Sequence, residues 1–87
     1  MLTQEDFLHS YDFMKLGQAI EHGNWQVAGM TAARIQRNAK EAEVSDFDRQ
    51  IISLKQCIGS RQKLQAQNIL AAIITKRVQM LKKYENK

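Results

Sequence analysis

Apolar residues recur at intervals of three and four along four segments of this chain, and no proline interrupts any of them. This spacing places the apolar side chains on one face of a helix, and without proline each helix can run unbroken. Turn signals separate the segments at Gly23, at Val44 and Ser45, and at Gly59. Eighty-seven residues suffice to bury one core without metals or disulfides, so a single helical domain over residues 1–87 is expected.

The pattern predicts four helices. Their approximate bounds are 4–22, 25–42, 46–58 and 61–84. Asn24 can cap the second helix, and Ser45 followed by Asp48 resembles an N-terminal cap for the third. Because the connections are only two to four residues long, neighbouring helices should run up and down, and the predicted fold is an all-α, antiparallel four-helix bundle.

The first segment leaves two questions open. Ser10 and Gly17 are positions where its helix could bend or divide. Either Phe13 or Met14 fits the inward face, because both lie at helical spacing from their apolar neighbours.

Narrow apolar stripes mark the inward faces of the two middle helices. They consist of Ala28, Ala32, Ile35, Ala39 and Ala42 in the second helix, and of Phe47, Ile51, Leu54 and Ile58 in the third. Small residues in the first of these stripes suit close packing against neighbours. The apolar band of the last helix is wider, which predicts contact with two other helices.

The charges are distributed unevenly along the chain. Residues 1–22 carry four acidic residues and one lysine, a net charge of −3, whereas residues 49–87 carry nine basic residues and one glutamate, a net charge of +8. Antiparallel packing of the first and last helices would pair these opposite signs.

Cysteine usage and the N-terminus bear on the compartment. The lone Cys57 has no internal partner for a disulfide and lies in an apolar-periodic segment, which predicts a buried thiol in a reducing, cytoplasmic protein. The first residues are acidic where a secretion signal is basic, and no apolar run reaches the length of a membrane span. We therefore expect a soluble protein without a membrane-bound state.

Two stretches resemble a known family. "AIEHGNW" at residues 19–25 is similar to the end of the first helix in the histidine-phosphotransfer (HPt) domains of bacterial phosphorelays, and "AARIQRNAKEAEVSDF" at residues 32–47 is similar to the helix that follows it. In that family the second helix displays a phosphoacceptor histidine in the motif His-x-Leu-Lys-Gly. The resemblance implies an HPt-like bundle that docks a receiver or histidine-kinase domain of a two-component system.

The residues that carry the family's chemistry are replaced. Ala32 matches the alanine that precedes the family's histidine, and Ile35 matches the leucine of the motif. Ala33, however, stands at the histidine position, Gln36 at the lysine and Arg37 at the glycine. Phosphotransfer needs an imidazole nucleophile and a nearby cation, and a methyl group cannot accept a phosphoryl group. The resemblance therefore implies a degenerate HPt domain that does not accept phosphate.

No other residues supply a catalytic or metal-binding set. Neither His9 nor His22 has a second histidine at helical spacing, and we interpret both as surface histidines. A glycine-rich phosphate loop, an HExxH motif and a Ser-His-Asp set are all absent. We expect neither catalysis nor a metal or other cofactor.

The outward face of the second helix is the candidate partner-binding surface. It comprises Gly29, Met30, Ala33, Arg34, Gln36, Arg37 and Lys40. Small residues with basic neighbours suit the docking of another helix from an acidic partner. The alternative interpretation is an ordinary surface, or a stripe wide enough that Met30 and Ala33 are half-buried.

Two further functions compete with docking. The apolar surplus of the last helix, at Ile74, Val78 and Leu81, could complete a homodimer. Nucleic-acid binding is the other alternative, because the same helix carries several basic residues. The apolar "ILAAII" at residues 69–74 divides these residues, so no continuous groove-binding strip is predicted.

Overall fold

Five α-helices form most of residues 2–85, the part of the chain that the computed structural model describes. They are α1 (Gln4–Leu8), α2 (Asp12–Glu21), α3 (Trp25–Glu41), α4 (Asp48–Gly59) and α5 (Lys63–Glu85). Residues 2–85 contain no β-strand. The predicted all-α class is confirmed for this range, while residues 1, 86 and 87 of the predicted domain lie outside it.

Three of the four predicted helices correspond to α3, α4 and α5, with ends that differ by no more than two residues. Asn24 caps α3 as predicted, because its side-chain oxygen accepts from the backbone N–H of Val27 at 3.4 Å. The predicted cap at Ser45 is wrong. Phe47 occupies the position before α4 with no side-chain cap, and it is fully buried.

The predicted helix over residues 4–22 is two helices, so the chain has five helices rather than four. A turn over residues 9–11 separates α1 from α2, and the hydroxyl of Ser10 accepts from the backbone N–H of Asp12 at 3.1 Å. Phe7 and Phe13 would point about 120° apart on a continuous helix, since they are six residues apart. The turn lets both rings enter the core, where their centroids lie 5.5 Å apart.

The longer helices surround one core. Helix α2 packs against α3, α3 against α4, α4 against α5, and α5 against α2, while α1 packs on α5 and α3. The buried side chains form one cluster to which all five helices contribute. Phe13 belongs to this cluster and Met14 is exposed, which settles the choice that the sequence left open.

Three phenylalanines and one arginine join α1 to the rest of the core. The Phe47 ring lies 6.2 Å from that of Phe7 and 6.3 Å from that of Phe13, between centroids. The guanidinium of Arg77 in α5 lies 5.2 Å from the centroid of Phe13. Its Nε donates to the backbone carbonyl of Leu8, at the end of α1. One side chain of α5 thus satisfies a carbonyl that the break between α1 and α2 leaves without a helical partner.

The expected charge pairing between the first and last helices is wrong. Within residues 2–85 no ion pair joins α5 to α1 or α2. Asp12 pairs instead with Arg34 of α3, and Lys76 of α5 donates to the backbone carbonyl of Asp46 at 3.0 Å. Within residues 2–85, ion pairs between these helices therefore do not neutralise the acidic N-terminal segment and the basic C-terminal segment.

Helices α2, α3 and α4 end in the same hydrogen-bonded motif. In each, two successive backbone N–H groups beyond the helix donate back to carbonyls of its last turn, at 2.8–3.1 Å. The first donor of each pair has a positive φ: 69° at Gly23, 58° at Glu43 and 56° at Arg61. Only the first of these three residues is the glycine that this conformation favours.

Candidate functional site

Helix α3 turns one face to the core and another to solvent. Its buried residues are Ala28, Thr31, Ala32, Ile35 and Ala39. Ala33 follows a buried residue and is itself exposed, and Met30 exposes 64% of its surface. The face around Ala33 is therefore open, rather than half-buried in the core.

A groove runs along this face between α3 and α4, and we call it the α3/α4 groove. It consists of two clefts of about 600 and 490 Å³. The first cleft is lined by Ala33, Gln36, Arg37, Lys40, Glu43, Val44, Ser45, Asp48 and Ile52, and the second by Trp25, Gln26, Gly29, Met30, Lys55, Ile58, Gly59 and Arg61. The amine of Lys55 donates to the side-chain oxygen of Gln36 at 2.9 Å and so links the two clefts.

Six of the seven residues predicted from the sequence to form a partner-binding surface line this groove. They are Gly29, Met30, Ala33, Gln36, Arg37 and Lys40. The helical spacing is the reason, because these residues repeat every three or four positions along the side of α3 that faces α4.

Arg34 is the exception, because it lies on the other side of α3. Its Nε donates to one carboxylate oxygen of Asp12 at 3.0 Å and its terminal nitrogen to the other at 2.9 Å. The hydrogen bond to Asp12 and the charge of that carboxylate raise the pKa of Arg34 above its usual value. This bidentate pair joins α2 to α3, so Arg34 has a structural contact and does not line the groove.

The groove residues outside α3 were not assigned to the site from the sequence. Three of them add exposed apolar or positively charged side chains: Ile52, Lys55 and Arg61. Ile52 carries a sequence signal that could have identified it, because it is a large apolar residue one position off the inward stripe of α4. In the structure it is 50% exposed. The two cations carry no such signal, since only the packing of α4 against α3 brings them to Gln36 and Met30.

The floor of the groove is shallow and partly apolar. Gly29 and Ala33 contribute little side-chain bulk, and the exposed side chains of Met30 and Ile52 lie beside them. A Cβ placed on Gly29 would meet the nearest carbon of Ile58 at 3.9 Å, which is ordinary van der Waals contact. Close helix packing therefore does not require glycine at this position.

The groove is lined by more cations than acids. Arg37, Lys40, Lys55 and Arg61 line it, and none of them forms an ion pair with a carboxylate of residues 2–85. Two acids, Glu43 and Asp48, lie in the first cleft only. In the cleft that contains Met30, the charged lining residues are both cations, Lys55 and Arg61.

No histidine or cysteine lines the groove. His22 follows the end of α2, and His9 lines a separate cleft between the α1–α2 turn and α5. Within residues 2–85, no three His, Cys, Asp or Glu side chains are placed to hold a metal ion. Cys57 is half-buried at the edge of the core rather than fully buried as predicted.

A second exposed apolar surface lies on the opposite helices, and we call it the α2/α5 strip. Met14 of α2 and Ile74 of α5 line one cleft there. The strip also includes Tyr11 and Val78, which lie three and four residues along the chain from Met14 and Ile74. Three of these residues are exposed and Ile74 is partly buried. Leu81, which the sequence grouped with Ile74 and Val78 as a dimer contact, is instead part of the core.

Comparisons with known proteins identify no relative of this chain. No protein-family model matches it, and no curated protein or solved structure matches it either. Among the helices of residues 2–85, none has the length and apolar character needed to cross a membrane.

Proposed function

We propose that this protein is a non-catalytic binding module similar to an HPt domain, which docks a receiver or histidine-kinase domain of a two-component phosphorelay without accepting phosphate. The observation that carries the proposal is the α3/α4 groove. It is an open surface with an apolar floor and basic margins. It lies on α3, the helix that the resemblance matches to the histidine-bearing helix of HPt domains.

The arrangement of the helices supports an HPt-like scaffold. The connections between α2 and α3 and between α4 and α5 are three residues long, and that between α3 and α4 is six. Connections of this length favour antiparallel neighbours, and the ring of contacts from α2 to α5 suits an up-down bundle. Helix α1 is then an addition that covers part of α5.

The chemistry of the groove supports docking rather than transfer. Ala33 is exposed where the resemblance places the phosphoacceptor, and its methyl group offers no nucleophile. Gln36 stands where the family has lysine, and its amide oxygen already accepts from Lys55. Docking needs only the shape and charge of the two helix faces, which this groove retains.

We also propose a cytoplasmic location. Receiver and kinase domains act in the cytoplasm, and the unpaired, partly accessible thiol of Cys57 is suited to a reducing compartment.

A binding titration tests this function. The isotope-labelled protein would be titrated with each receiver and kinase domain encoded by the same genome, and the shifted NMR signals mapped onto the helices. We expect at least one domain to bind and to shift signals of α3 and α4. The charged variant Ala33→Glu should weaken that binding at least about tenfold without lowering the melting temperature, because Ala33 is exposed.

Lys15→Glu is the matched control, since Lys15 is exposed on α2, outside the groove. It should leave binding unchanged apart from a small effect of net charge. The function would be refuted if no receiver or kinase domain binds, or if a phosphorylated receiver leaves acid-labile phosphate on this protein.

Self-association is a second candidate, and the α2/α5 strip favours it. Tyrosine and methionine are enriched in protein interfaces, and the four residues that define the strip carry no charge. If a second copy covers the strip, sedimentation at about 100 µM should give the mass of a dimer, and the variant Val78→Glu should return the mass of a monomer. A monomer at that concentration would exclude this candidate.

A further inference from the structure

The cations of the α3/α4 groove lie beside exposed apolar side chains, those of Met30 and Ile52. Arg37, Lys40, Lys55 and Arg61 form no ion pair with any carboxylate of residues 2–85, although the chain contains acids. Arg34, by contrast, has its carboxylate in Asp12. A surface whose cations stay unpaired beside exposed apolar side chains has the charge and the apolar area to receive a partner that supplies both.

The charge varies along the groove in a way that limits what can bind. The cleft around Met30 is bordered by Lys55 and Arg61 and contains no acid, whereas the cleft around Ala33 adds Glu43 and Asp48 to its cations. A uniformly anionic partner would gain little attraction at the second of these positions, because Glu43 and Asp48 offset the charges of Arg37 and Lys40 there. A partner with acids at one end only would match the groove along its whole length.

The shape of the groove matches a helix. It follows α3 for most of its 17 residues, a length of about 25 Å at 1.5 Å per residue. The small side chains of Gly29 and Ala33 permit close approach of a second backbone, and Met30 and Ile52 provide apolar contacts on either side.

We propose that the occupant of the α3/α4 groove is an amphipathic helix of a partner protein, with its apolar stripe on Met30, Ala33 and Ile52 and its acidic side chains beside Lys55 and Arg61. This inference rests on the proposed function, since it names the element of the partner that the docking face receives. A nucleic acid fits less well, because Glu43 and Asp48 oppose phosphates and the exposed apolar side chains give the backbone of a duplex no favourable contact.

A pair of synthetic peptides tests the proposal on the full-length protein. The first is a helix-forming peptide of about 18 residues with an apolar stripe at i, i+3, i+4 and i+7 and glutamates flanking one half of that stripe. The second has lysine in place of each glutamate. The acidic peptide should bind at least about tenfold more tightly, shift NMR signals of α3 and α4, and lose affinity as salt is raised.

Charge reversal in the protein makes the test specific to the groove. In the double variant Lys55→Glu and Arg61→Glu, the preference should invert, so that the lysine peptide binds more tightly. The matched control is Lys15→Glu with Lys82→Glu, which makes the same change of net charge at exposed positions outside the groove and should keep the original preference. Unchanged circular dichroism of both double variants shows that each is folded.

The proposal is overturned if the two peptides bind equally, if the signals that shift belong to α2 and α5, or if a DNA duplex competes with the acidic peptide for the groove. Its failure can be distinguished from failure of the proposed function. If a receiver or kinase domain binds at α3 and α4 but the acidic peptide does not, the docking function stands and the helical occupant is wrong. If only the peptide binds, the helical occupant stands and the phosphorelay function is wrong.

Discussion

At the scale of single residues, Gly29 is a position where an added side chain should stabilise the protein. It lies inside α3, where glycine costs about 1 kcal/mol relative to alanine, and a Cβ there meets only an ordinary contact. We expect Gly29→Ala to raise the free energy of unfolding by about 0.5–1 kcal/mol, measured by urea denaturation. Gly23→Ala is the control and should do the opposite, because its φ of 69° is strained for alanine. A destabilised Gly29→Ala protein would show that α3 and α4 pack too closely at this position for an added Cβ.

The helix ends provide a second prediction at this scale. Glu43 and Arg61 adopt positive φ values that cost an ordinary residue about 1–2 kcal/mol, partly offset by the greater chain entropy that glycine loses on folding. Glu43→Gly and Arg61→Gly should each stabilise the protein by about 0.5 kcal/mol, seen as a higher urea midpoint. Gln67→Gly, in the exposed interior of α5, should instead cost about 1 kcal/mol. Equal effects at all three positions would contradict this explanation.

At the scale of elements, two adjacent alanines mark the two faces of α3: Ala32 is buried in the core and Ala33 is exposed to solvent. Ala32 is 1% exposed and borders a core void of only about 10 Å³, which is too small for added side-chain volume. Ala32→Leu should therefore destabilise the protein by about 1–3 kcal/mol, whereas Ala33→Leu should change stability by no more than about 0.5 kcal/mol. Urea denaturation of the two variants measures both. Similar losses at both positions would mean that the docking face is part of the core.

At the scale of the whole molecule, Phe47 holds separate parts of the chain together. It comes from the connection between α3 and α4, is fully buried, and contacts the rings of Phe7 and Phe13. Phe47→Ala should cost about 3–5 kcal/mol, a large part of the 5–15 kcal/mol that stabilises a typical domain. Met14→Ala, at an exposed position, should change the urea midpoint little. A loss below 1 kcal/mol would show that the three rings do not act as one cluster.

Much of the fold was predictable from the sequence because helical periodicity is a local property. Asn24 and Gly23 marked the start of α3 and the end of α2, and the stripes of α3 and α4 are buried as predicted. The same periodicity predicted that Ala33, the residue after the inward-facing Ala32, lies outside the core. These features depend on residues within a few positions of each other, which is the range over which spacing carries information.

The remaining features depended on contacts between distant parts of the chain. The break between α1 and α2 allows Phe7 and Phe13 to bury together, and Arg77, 69 residues from Leu8, satisfies the carbonyl exposed there. Arg34 lies about 100° around α3 from Ala33, at the edge of the groove face, and its side chain pairs with Asp12 of α2 instead of lining the groove. The sequence by itself determined the helical class, the inward stripes and the absence of a nucleophile at position 33. Only the tertiary structure decided which cations share the groove, because the packing of α4 against α3 is set by the fit of side chains far apart in sequence.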